Sequence, residues 1–260
     1  MKKLAICGDS WMTPTLNYPD THFSEIIAKH YNAELLALSR SGCSNGAICL
    51  QIEESIKRNA DFVIIGSTTP DRIEIPLPEN RISKIYLKSW KIFSKSKNSG
   101  KYKKNRGIAN ISYSKHPDLS TKNNFMVNPV LISESINNLI WQEEGLNSFY
   151  SLDSKIVKSL VDYTLNLYDP NFKRQTDCWC ISNSLRKLQD NNINFLFFPN
   201  KLITEEFVED ISWLDKKYIA NIDGPYNLEG GDARYHTSEK AQIYVAEQLI
   251  NIINERFSVI

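Results

Sequence analysis

Five short apolar runs, each followed by turn residues, constrain the fold of this chain more than any other feature of its sequence. They lie at residues 4–7, 34–38, 62–65, 195–198 and 218–222. Each is too short for a helix, and continuous apolar runs of this length are typical of strands buried on both faces of a parallel sheet. The runs therefore predict five parallel strands.

Segments with helical spacing lie between these runs and after the last of them, at residues 22–31, 45–58, 152–167, 178–188 and 238–253. In the second of them Ile48, Ile52 and Ile56 fall on one face, and Ser44 or Asn45 can cap its first turn. Strands that alternate with helices are typical of a doubly wound α/β sheet. We expect that fold class.

One segment interrupts this alternation after the third strand. At 260 residues the chain is long enough for one substantial core, so we expect a single domain over residues 1–260 with an insertion at approximately 76–150. Within it, residues 81–122 carry twelve Lys or Arg against one acidic residue, with aromatic residues interspersed. Such a mixture can hold a nucleic-acid single strand or an anionic glycan. Charge runs usually stay solvated, however, and a solvated extension is the interpretation we favour.

The overall composition excludes several classes of function. Lys and Arg (31) nearly balance Asp and Glu (30), so there is no global attraction to nucleic acid or to an anionic membrane. No apolar stretch approaches the roughly 20 residues that span a bilayer. The short N-terminal run passes directly into Gly8 and Asp9, which indicates that it belongs to the fold and not to a signal peptide. We therefore expect a soluble, cytoplasmic protein without membrane contact.

The five cysteines indicate a reducing compartment, because an odd number in apolar surroundings is typical of buried free thiols. One residue separates Cys178 from Cys180, a spacing that fits neither zinc knuckles nor thioredoxin-like redox sites, so we interpret the pair as structural. The sequence contains no metal-ligand spacing, phosphate-binding glycine loop or dinucleotide motif. It predicts no metal and no organic cofactor.

Small and hydroxylic residues follow three of the predicted strands. Gly8-Asp9-Ser10 follows the first, a Ser- and Gly-rich loop around Gly42 follows the second, and residues 66–72 follow the third. Because ligands of open α/β sheets bind beyond the carboxyl ends of the strands, these loops predict one shared site. Ser10 is either a nucleophile there or the cap of a following helix. Backbone N–H groups near Gly42 suit an oxyanion hole.

A serine nucleophile needs a base, and the sequence offers four histidines: His22, His30, His116 and His236. We place the first two on a short surface helix and His116 in the basic insertion. His236 lies shortly before the last helix, and Asp232 is in the same Gly-rich loop, so one loop can supply an imidazole and a carboxylate. His236 is therefore the predicted base.

These residues resemble the SGNH (GDSL) hydrolases, a family of serine esterases and acyl hydrolases. Gly8-Asp9-Ser10 is similar to the first block of the family, Gly42 to the glycine of the second, and His236 to the histidine of the fifth. The resemblance covers roughly residues 1–75 and 190–260. It implies a three-layer α/β/α, flavodoxin-like fold with a parallel five-stranded sheet, in which Ser10, His236 and Asp232 are catalytic. It also implies that the N–H groups of Ser10 and Gly42 bind the oxyanion and that no cofactor takes part.

Residues 64–74 also look similar to a branch of the family that is associated with bacteriophage and bacterial genomes. That similarity implies that association with a phage particle is an alternative to a free cytoplasmic protein. The segment contains Asp71 and Arg72, a pair able to form salt bridges, which we expect at the rim of the site in contact with substrate.

The sequence departs from the family pattern at two places. The third block usually supplies an Asn side chain to the oxyanion hole, but Thr68 stands at that position here. Loss of one such donor typically costs about 100- to 1000-fold in turnover. The Thr68 hydroxyl or the Asn45 amide is a candidate replacement. The family also places its Asp three residues before the His, whereas Asp232 lies four residues before His236.

The expected function is hydrolysis of a small acyl ester through an acyl-enzyme formed on Ser10, with a carbohydrate O-acetyl group as one substrate class. Two alternatives stay open. One is a non-catalytic binding or structural protein on the same scaffold that holds an anionic polymer through residues 81–122. The other is an O-acyltransferase that uses the same Ser10 and His236. The oligomeric state is not indicated by the sequence.

Overall fold

The computed structural model describes residues 1–9, 11–14, 20–39, 44–68, 72–73, 130–131, 162–163, 166–199, 211–220, 222 and 238–257. The strands are β1 (Lys3–Cys7), β2 (Glu34–Ala37), β3 (Phe62–Gly66), β4 (Arg72–Ile73), β5 (Val130–Leu131) and β6 (Asn194–Phe198). The helices are α1 (Phe23–His30), α2 (Asn45–Lys57), α3 (Pro170–Asp190) and α4 (Glu239–Arg256), and a 3₁₀ helix spans Lys216–Tyr218.

Four of the five predicted strands pair into one parallel sheet in the order β2-β1-β3-β6. Ile6 of β1 stands opposite Ala37 of β2 on one side and Ile64 of β3 on the other, and Ile64 stands opposite Leu196 of β6. Every residue of β3 is buried, as expected for a strand covered on both faces.

The chain leaves β1 on one side for β2 and then crosses to β3 on the other side. This change of direction marks the switch point at which open α/β sheets bind ligands.

The predicted fifth strand, at residues 218–222, is present only as a one-residue parallel bridge between Ile219 and Phe197. The Ala220 N–H donates to the Phe197 carbonyl at 2.9 Å. The Asp215 side chain accepts from the Lys217 N–H and caps the 3₁₀ helix, which takes up the start of the apolar run. The five-stranded sheet is therefore not confirmed, although the fifth run does lie beside β6.

One face of the sheet packs against α1 and α4. Leu4, Ile6, Phe62, Ile64 and Leu196 belong to a single buried cluster with apolar side chains of both helices. Side chains of adjacent strand residues point to opposite faces, so Ala5, Cys7, Val63 and Ile65 face the other side. There α2 contacts β1 and β3, and an ion pair between Lys187 and Glu53 joins α3 to α2. Helices thus cover both faces, and the predicted three-layer α/β/α architecture is confirmed.

Side-chain caps fix where the helices begin. Ser44 accepts from the Ala47 N–H at 3.3 Å and is the N-cap of α2. Of the two predicted caps, Ser44 and Asn45, the structure confirms Ser44. Ser238 caps α4 in the same way. The third helix begins eight residues before the predicted start at residue 178, because Asp169 accepts from the Asn171 and Phe172 N–H groups and Pro170 suits the first helical position. Most of the helix predicted at 152–167 lies outside the described residues.

The chain divides into two compact units, one formed by Met1–Thr69 with Asp177–Ile260 and the other by Pro70–Thr176. In the second unit β4 and β5 pair antiparallel, Arg72 with Leu131 and Ile73 with Val130. The basic residues 81–122 lie outside the described residues, so their contact with an anionic polymer stays a prediction. The same holds for a single domain with an insertion at 76–150. Within the described ranges, no helix is both long and apolar enough to cross a membrane.

Among the described residues, Cys7, Cys49, Cys178 and Cys180 form no disulfide with one another. Cys7 and Cys178 are buried, whereas Cys180 is exposed on α3. Burial raises the pKa of the Cys7 thiol far above its ordinary value, and the nearby Cys49 adds to the shift. Cys7 therefore stays protonated and packs as an apolar side chain.

Candidate active site

The predicted site lies at the switch point of the sheet. Ser10 comes three residues after the end of β1 and Thr68 comes two residues after the end of β3, and these two strands are neighbours. Because the strands are parallel, both loops leave the same edge of the sheet. Ser10 itself lies outside the described residues, but the residues on both sides of it are described.

Asp9 organises the turn that carries Ser10. Its carboxylate Oδ1 accepts from the Trp11 N–H at 3.0 Å. Its backbone carbonyl accepts from the Met12 N–H at 3.1 Å and from the Thr13 hydroxyl at 2.8 Å. Trp11 to Thr13 form turn and bend, with no helix starting at Trp11. Both interpretations of Ser10, as nucleophile and as helix cap, stay predictions. Asp9 therefore braces the turn with both its side chain and its backbone carbonyl.

Gly8 and Gln51 fix the other side of this turn. Gly8 has φ +155°, and a Cβ there would overlap the Met12 side chain, so only glycine fits without strain. The Gln51 side chain of α2 accepts from the Gly8 N–H at 2.6 Å and donates to the Gly8 carbonyl at 3.2 Å. The end of β1 is thereby joined to α2 through both backbone groups of Gly8.

Thr68 joins the second loop to the first. Its hydroxyl donates to Asp9 Oδ2 at 2.8 Å, and its side chain is almost fully buried. The bond ties Asp9, and with it the Ser10 turn, to the carboxyl end of β3. In this arrangement the Thr68 hydroxyl proton is donated to Asp9. The hydroxyl would have to turn away from that carboxylate before it could donate to an oxyanion.

Asn45 holds the backbone of Thr68 through both ends of its amide. Its Oδ1 accepts from the Thr68 N–H at 2.9 Å, and its Nδ2 donates to the Thr68 carbonyl at 3.0 Å. The second Nδ2 proton goes to Asp177 Oδ2, also at 3.0 Å. Both amide protons of Asn45 are therefore engaged. The oxyanion roles of Thr68 and Asn45 stay predictions.

Two polar residues of this region, Gln51 and Asp177, were not singled out from the sequence. Gln51 falls on the buried face of α2 together with Ile48 and Ile52. Asp177 is buried on α3, four residues before the buried Ile181. A polar side chain on an otherwise apolar stripe is the signal that could have identified both, because a buried polar group needs a partner.

The remaining predicted site residues have no described side chain. Ser10, Gly42, Asp71, Asp232 and His236 lie outside the described residues. Arg72 is in β4, and only its backbone is described.

The chain that follows His236 meets the chain that follows Ser10. Gln242, in the first turns of α4, accepts from the Phe23 N–H at 3.0 Å. The neighbouring His22 contacts the Trp11 carbonyl through its Nε2 at 3.4 Å. The start of α4, the start of α1 and the turn after Ser10 are therefore in contact at one edge of the sheet.

His22 is not on a surface helix as predicted. It is buried, lies one residue before α1 and caps it, with Nδ1 at 2.7 Å from the Ser24 hydroxyl. Burial lowers the pKa of His22 to about 4, and a backbone hydrogen bond with Trp11 only partly opposes this effect. The ring is therefore neutral at physiological pH, and both of its nitrogens contact protein groups. His30 is the exposed member of the pair, at the C-terminal end of α1.

The lowered pKa of His22 predicts a loss of stability in acid. As the pH falls, the unfolded chain takes up the proton near pH 6.5 but the folded protein only near pH 4, so unfolding is favoured increasingly across this interval. We expect the His22→Asn variant, which keeps a capping side chain, to lose about 2 kcal/mol less unfolding free energy than the wild type between pH 7 and pH 4.5. Urea denaturation at the two pH values measures this difference. His30→Asn is the control, and equal losses in wild type and His22→Asn would contradict the prediction.

Within the described part of the chain, no three His, Cys, Asp or Glu side chains are grouped so that they could hold a metal ion.

The sheet and its two helical layers define an α/β protein with its candidate site at the switch point. No protein-family model matches the chain, and no curated protein matches it. Among solved structures, a protein of the lipolytic G-D-S-L family from Desulfitobacterium hafniense DCB-2 is similar with a TM-score of 0.42 and 8% identity, over 97% of this chain and 99% of that chain. The acetyl xylan esterase AlAXEase is similar with a TM-score of 0.43 and 11% identity, over 96% of this chain and 99% of that chain. Both are remote neighbours, so the chemistry of this chain has to be argued from its own residues.

Proposed function

We propose that the protein is a serine esterase of the SGNH type in which Ser10 is the nucleophile, His236 the base and Asp232 the residue that orients His236. The observation that carries the proposal is the arrangement of the described residues next to Ser10 in the chain. Gly8, Asp9 and Thr68 are fixed by hydrogen bonds at the carboxyl ends of two neighbouring parallel strands, where open α/β sheets bind ligands.

In the proposed reaction, the Ser10 Oγ attacks the ester carbonyl carbon while His236 takes the hydroxyl proton. The tetrahedral intermediate collapses by breaking the bond to the alcohol oxygen, and His236 returns the proton to that oxygen. Water then attacks the acyl-enzyme, with His236 again taking and returning a proton, which releases the acid and restores Ser10. No electron acceptor or donor is required.

The choice of base is supported by the position of the other histidines. His22 is buried and neutral, with both ring nitrogens in contact with protein groups. His30 is at the C-terminal end of α1, and the chain then enters β2, so it lies at the amino ends of the strands, away from Ser10. The contact of Gln242 with Phe23 and of His22 with Trp11 supports placing the segment before α4 near Ser10. His236 is the histidine of that segment.

For the oxyanion we propose the N–H groups of Ser10 and Gly42. Preformed donors at the position of the developing charge usually contribute most to acyl transfer. Thr68 is a candidate third donor that would have to exchange Asp9 for the oxyanion. Asn45 would have to release the Thr68 carbonyl or Asp177.

The proposed substrate is a small acyl ester, with an O-acetyl group on a carbohydrate as the class to test first. Purified protein should hydrolyse p-nitrophenyl acetate faster than p-nitrophenyl esters of long acyl chains, and it should release acetate from acetylated sugars. Acyl transfer to an added sugar in preference to water would identify an acyltransferase. A folded protein that hydrolyses none of these esters would contradict the proposal and favour a binding protein.

Asp232→Asn tests the third member of the proposed triad. An Asn can keep the geometry but favours the wrong imidazole tautomer and stabilises the imidazolium less, so we expect kcat to fall about 10²- to 10⁴-fold with KM little changed. Steady-state kinetics on p-nitrophenyl acetate measure this. Asp215→Asn, at the cap of the 3₁₀ helix, is a matched control. A variant of Asp232 with nearly wild-type turnover would reduce the triad to a Ser10-His236 dyad.

A further inference from the structure

We infer that Asp177 is a positioning residue for the proposed esterase reaction: it fixes the Asn45 amide that holds Thr68, and Thr68 in turn anchors Asp9 beside Ser10. The inference rests on the proposed function. It concerns a residue of α3 that neither the sequence motifs nor the proposed triad includes.

The described contacts form a continuous chain of hydrogen bonds from α3 to the Ser10 turn. Asp177 Oδ2 accepts from Asn45 Nδ2, Asn45 binds the Thr68 backbone twice, and the Thr68 hydroxyl donates to Asp9 Oδ2. All four of these residues are less than a tenth exposed. The strength of such bonds is greater in the protein interior than in water, and breaking one leaves a buried polar group without its partner.

Asp177 stabilises one orientation of the Asn45 amide. An amide has two protons on nitrogen, and the Thr68 carbonyl uses only one of them. A carboxylate is a stronger acceptor than a neutral oxygen, so the bond to Asp177 holds Nδ2 in place and keeps Oδ1 directed at the Thr68 N–H. Without this acceptor, one buried N–H of the Asn45 amide has no hydrogen-bond partner at this position, and the amide is free to tilt away from Thr68.

A tilt of Asn45 moves the Ser10 turn through Thr68. Thr68 anchors Asp9 Oδ2, while the other carboxylate oxygen of Asp9 accepts from the Trp11 N–H. The residues immediately before and after Ser10 therefore depend on the same carboxylate. A misplacement of about 1 Å at a nucleophile can cost about 100-fold in rate, so small shifts at this point affect kcat before they affect substrate binding.

The experiment compares Asp177→Ala, Asp177→Asn and the control Asp190→Ala, which removes an exposed aspartate from the end of the same helix. Each variant is assayed with p-nitrophenyl acetate and with a fluorophosphonate that labels activated serines, after urea denaturation has shown that it is folded. We expect Asp177→Ala to lower kcat and the Ser10 labelling rate about 10- to 100-fold with KM within about twofold of wild type. Asp177→Asn, which keeps an oxygen that can accept from Asn45, should stay within about threefold of wild type.

If Asp177→Ala does not fold, Asp177→Glu takes its place, because it keeps the charge but moves the carboxylate by one methylene; the same loss of kcat is expected. An active wild type with unchanged kcat in the folded Ala or Glu variant would overturn the inference, as would an Asn variant as impaired as the Ala variant. In both cases the proposed function would stand. A wild type that neither hydrolyses the ester nor labels would instead overturn the proposed function, and the inference with it.

Discussion

The Ser10→Ala variant is expected to lose at least about 10⁴-fold in kcat/KM toward p-nitrophenyl acetate, which corresponds to about 5.5 kcal/mol of transition-state stabilisation. The reason is that the alanine side chain cannot form the acyl-enzyme, so only the oxyanion donors and substrate binding continue to act. The substitution removes one hydroxyl, whereas the described hydrogen bonds next to it join Asp9 to Trp11, Met12 and Thr13. The melting temperature should therefore change little.

Ser182→Ala is the matched control for this prediction. The Ser182 hydroxyl accepts from the Trp213 indole at 3.0 Å, a contact of α3 that has no part in the proposed chemistry. The esterase activity of the Ser182→Ala variant should equal that of the wild type. If Ser10→Ala retained full activity in a preparation free of other esterases, Ser10 would not be the nucleophile.

The His236→Ala variant is expected to lose activity by a comparable factor, at least about 10³-fold, because Ser10 then has no group to take its proton. The effects of Ser10→Ala and His236→Ala should not add. A nucleophile and its base act as a unit, so the double variant should be about as inactive as either single variant. Kinetics of the three variants under identical conditions measure this non-additivity.

His30→Ala and His22→Asn serve as controls for the base. His30 is exposed at the far end of α1, and His22 is buried with a pKa lowered to about 4. Neither substitution should reduce turnover at neutral pH as His236→Ala does. A loss of activity in His22→Asn but not in His236→Ala would show that His236 is not the base.

The centre of the sheet could be predicted because its two central strands, β1 and β3, are buried on both faces. In β1 and β3 this burial requires continuous apolar runs, and the observed strands extend the predicted ranges by one residue each. The run at 218–222 is less constrained. The segment just before it contains the capping Asp215 and two lysines, and a 3₁₀ helix forms there. Only one residue after this helix, Ile219, then pairs with β6.

Helix boundaries were predictable where a capping side chain coincided with an apolar stripe. Ser44 and Ser238 meet both conditions. At α3 the two signals separate, because Asp169 and Pro170 start the helix before its buried stripe becomes apolar. The apolar stripe alone predicts a helix from residue 178, which excludes Asp177.

The residue types of the loops after the strands could be recognised in the sequence, but the pairing of their polar groups could not. The loops after β1 and β3 carry small and hydroxylic residues, which is visible in the sequence. That Asn45 binds Thr68 and Asp177, 23 and 132 residues away, depends on how helices pack around the sheet. The spacing of residues in the sequence does not show which of several buried polar side chains form hydrogen bonds with one another. The same limitation placed His22 on the surface, although it is the buried cap of α1.

Fluorophosphonate labelling of the wild-type protein, with the modified peptide located by mass spectrometry and His236→Ala as control, shows whether Ser10 is an activated nucleophile. We expect one labelled residue, Ser10, with labelling that falls sharply in the His236→Ala variant. Absence of label on the folded wild-type protein, or labelling that is equally fast without His236, would contradict this expectation.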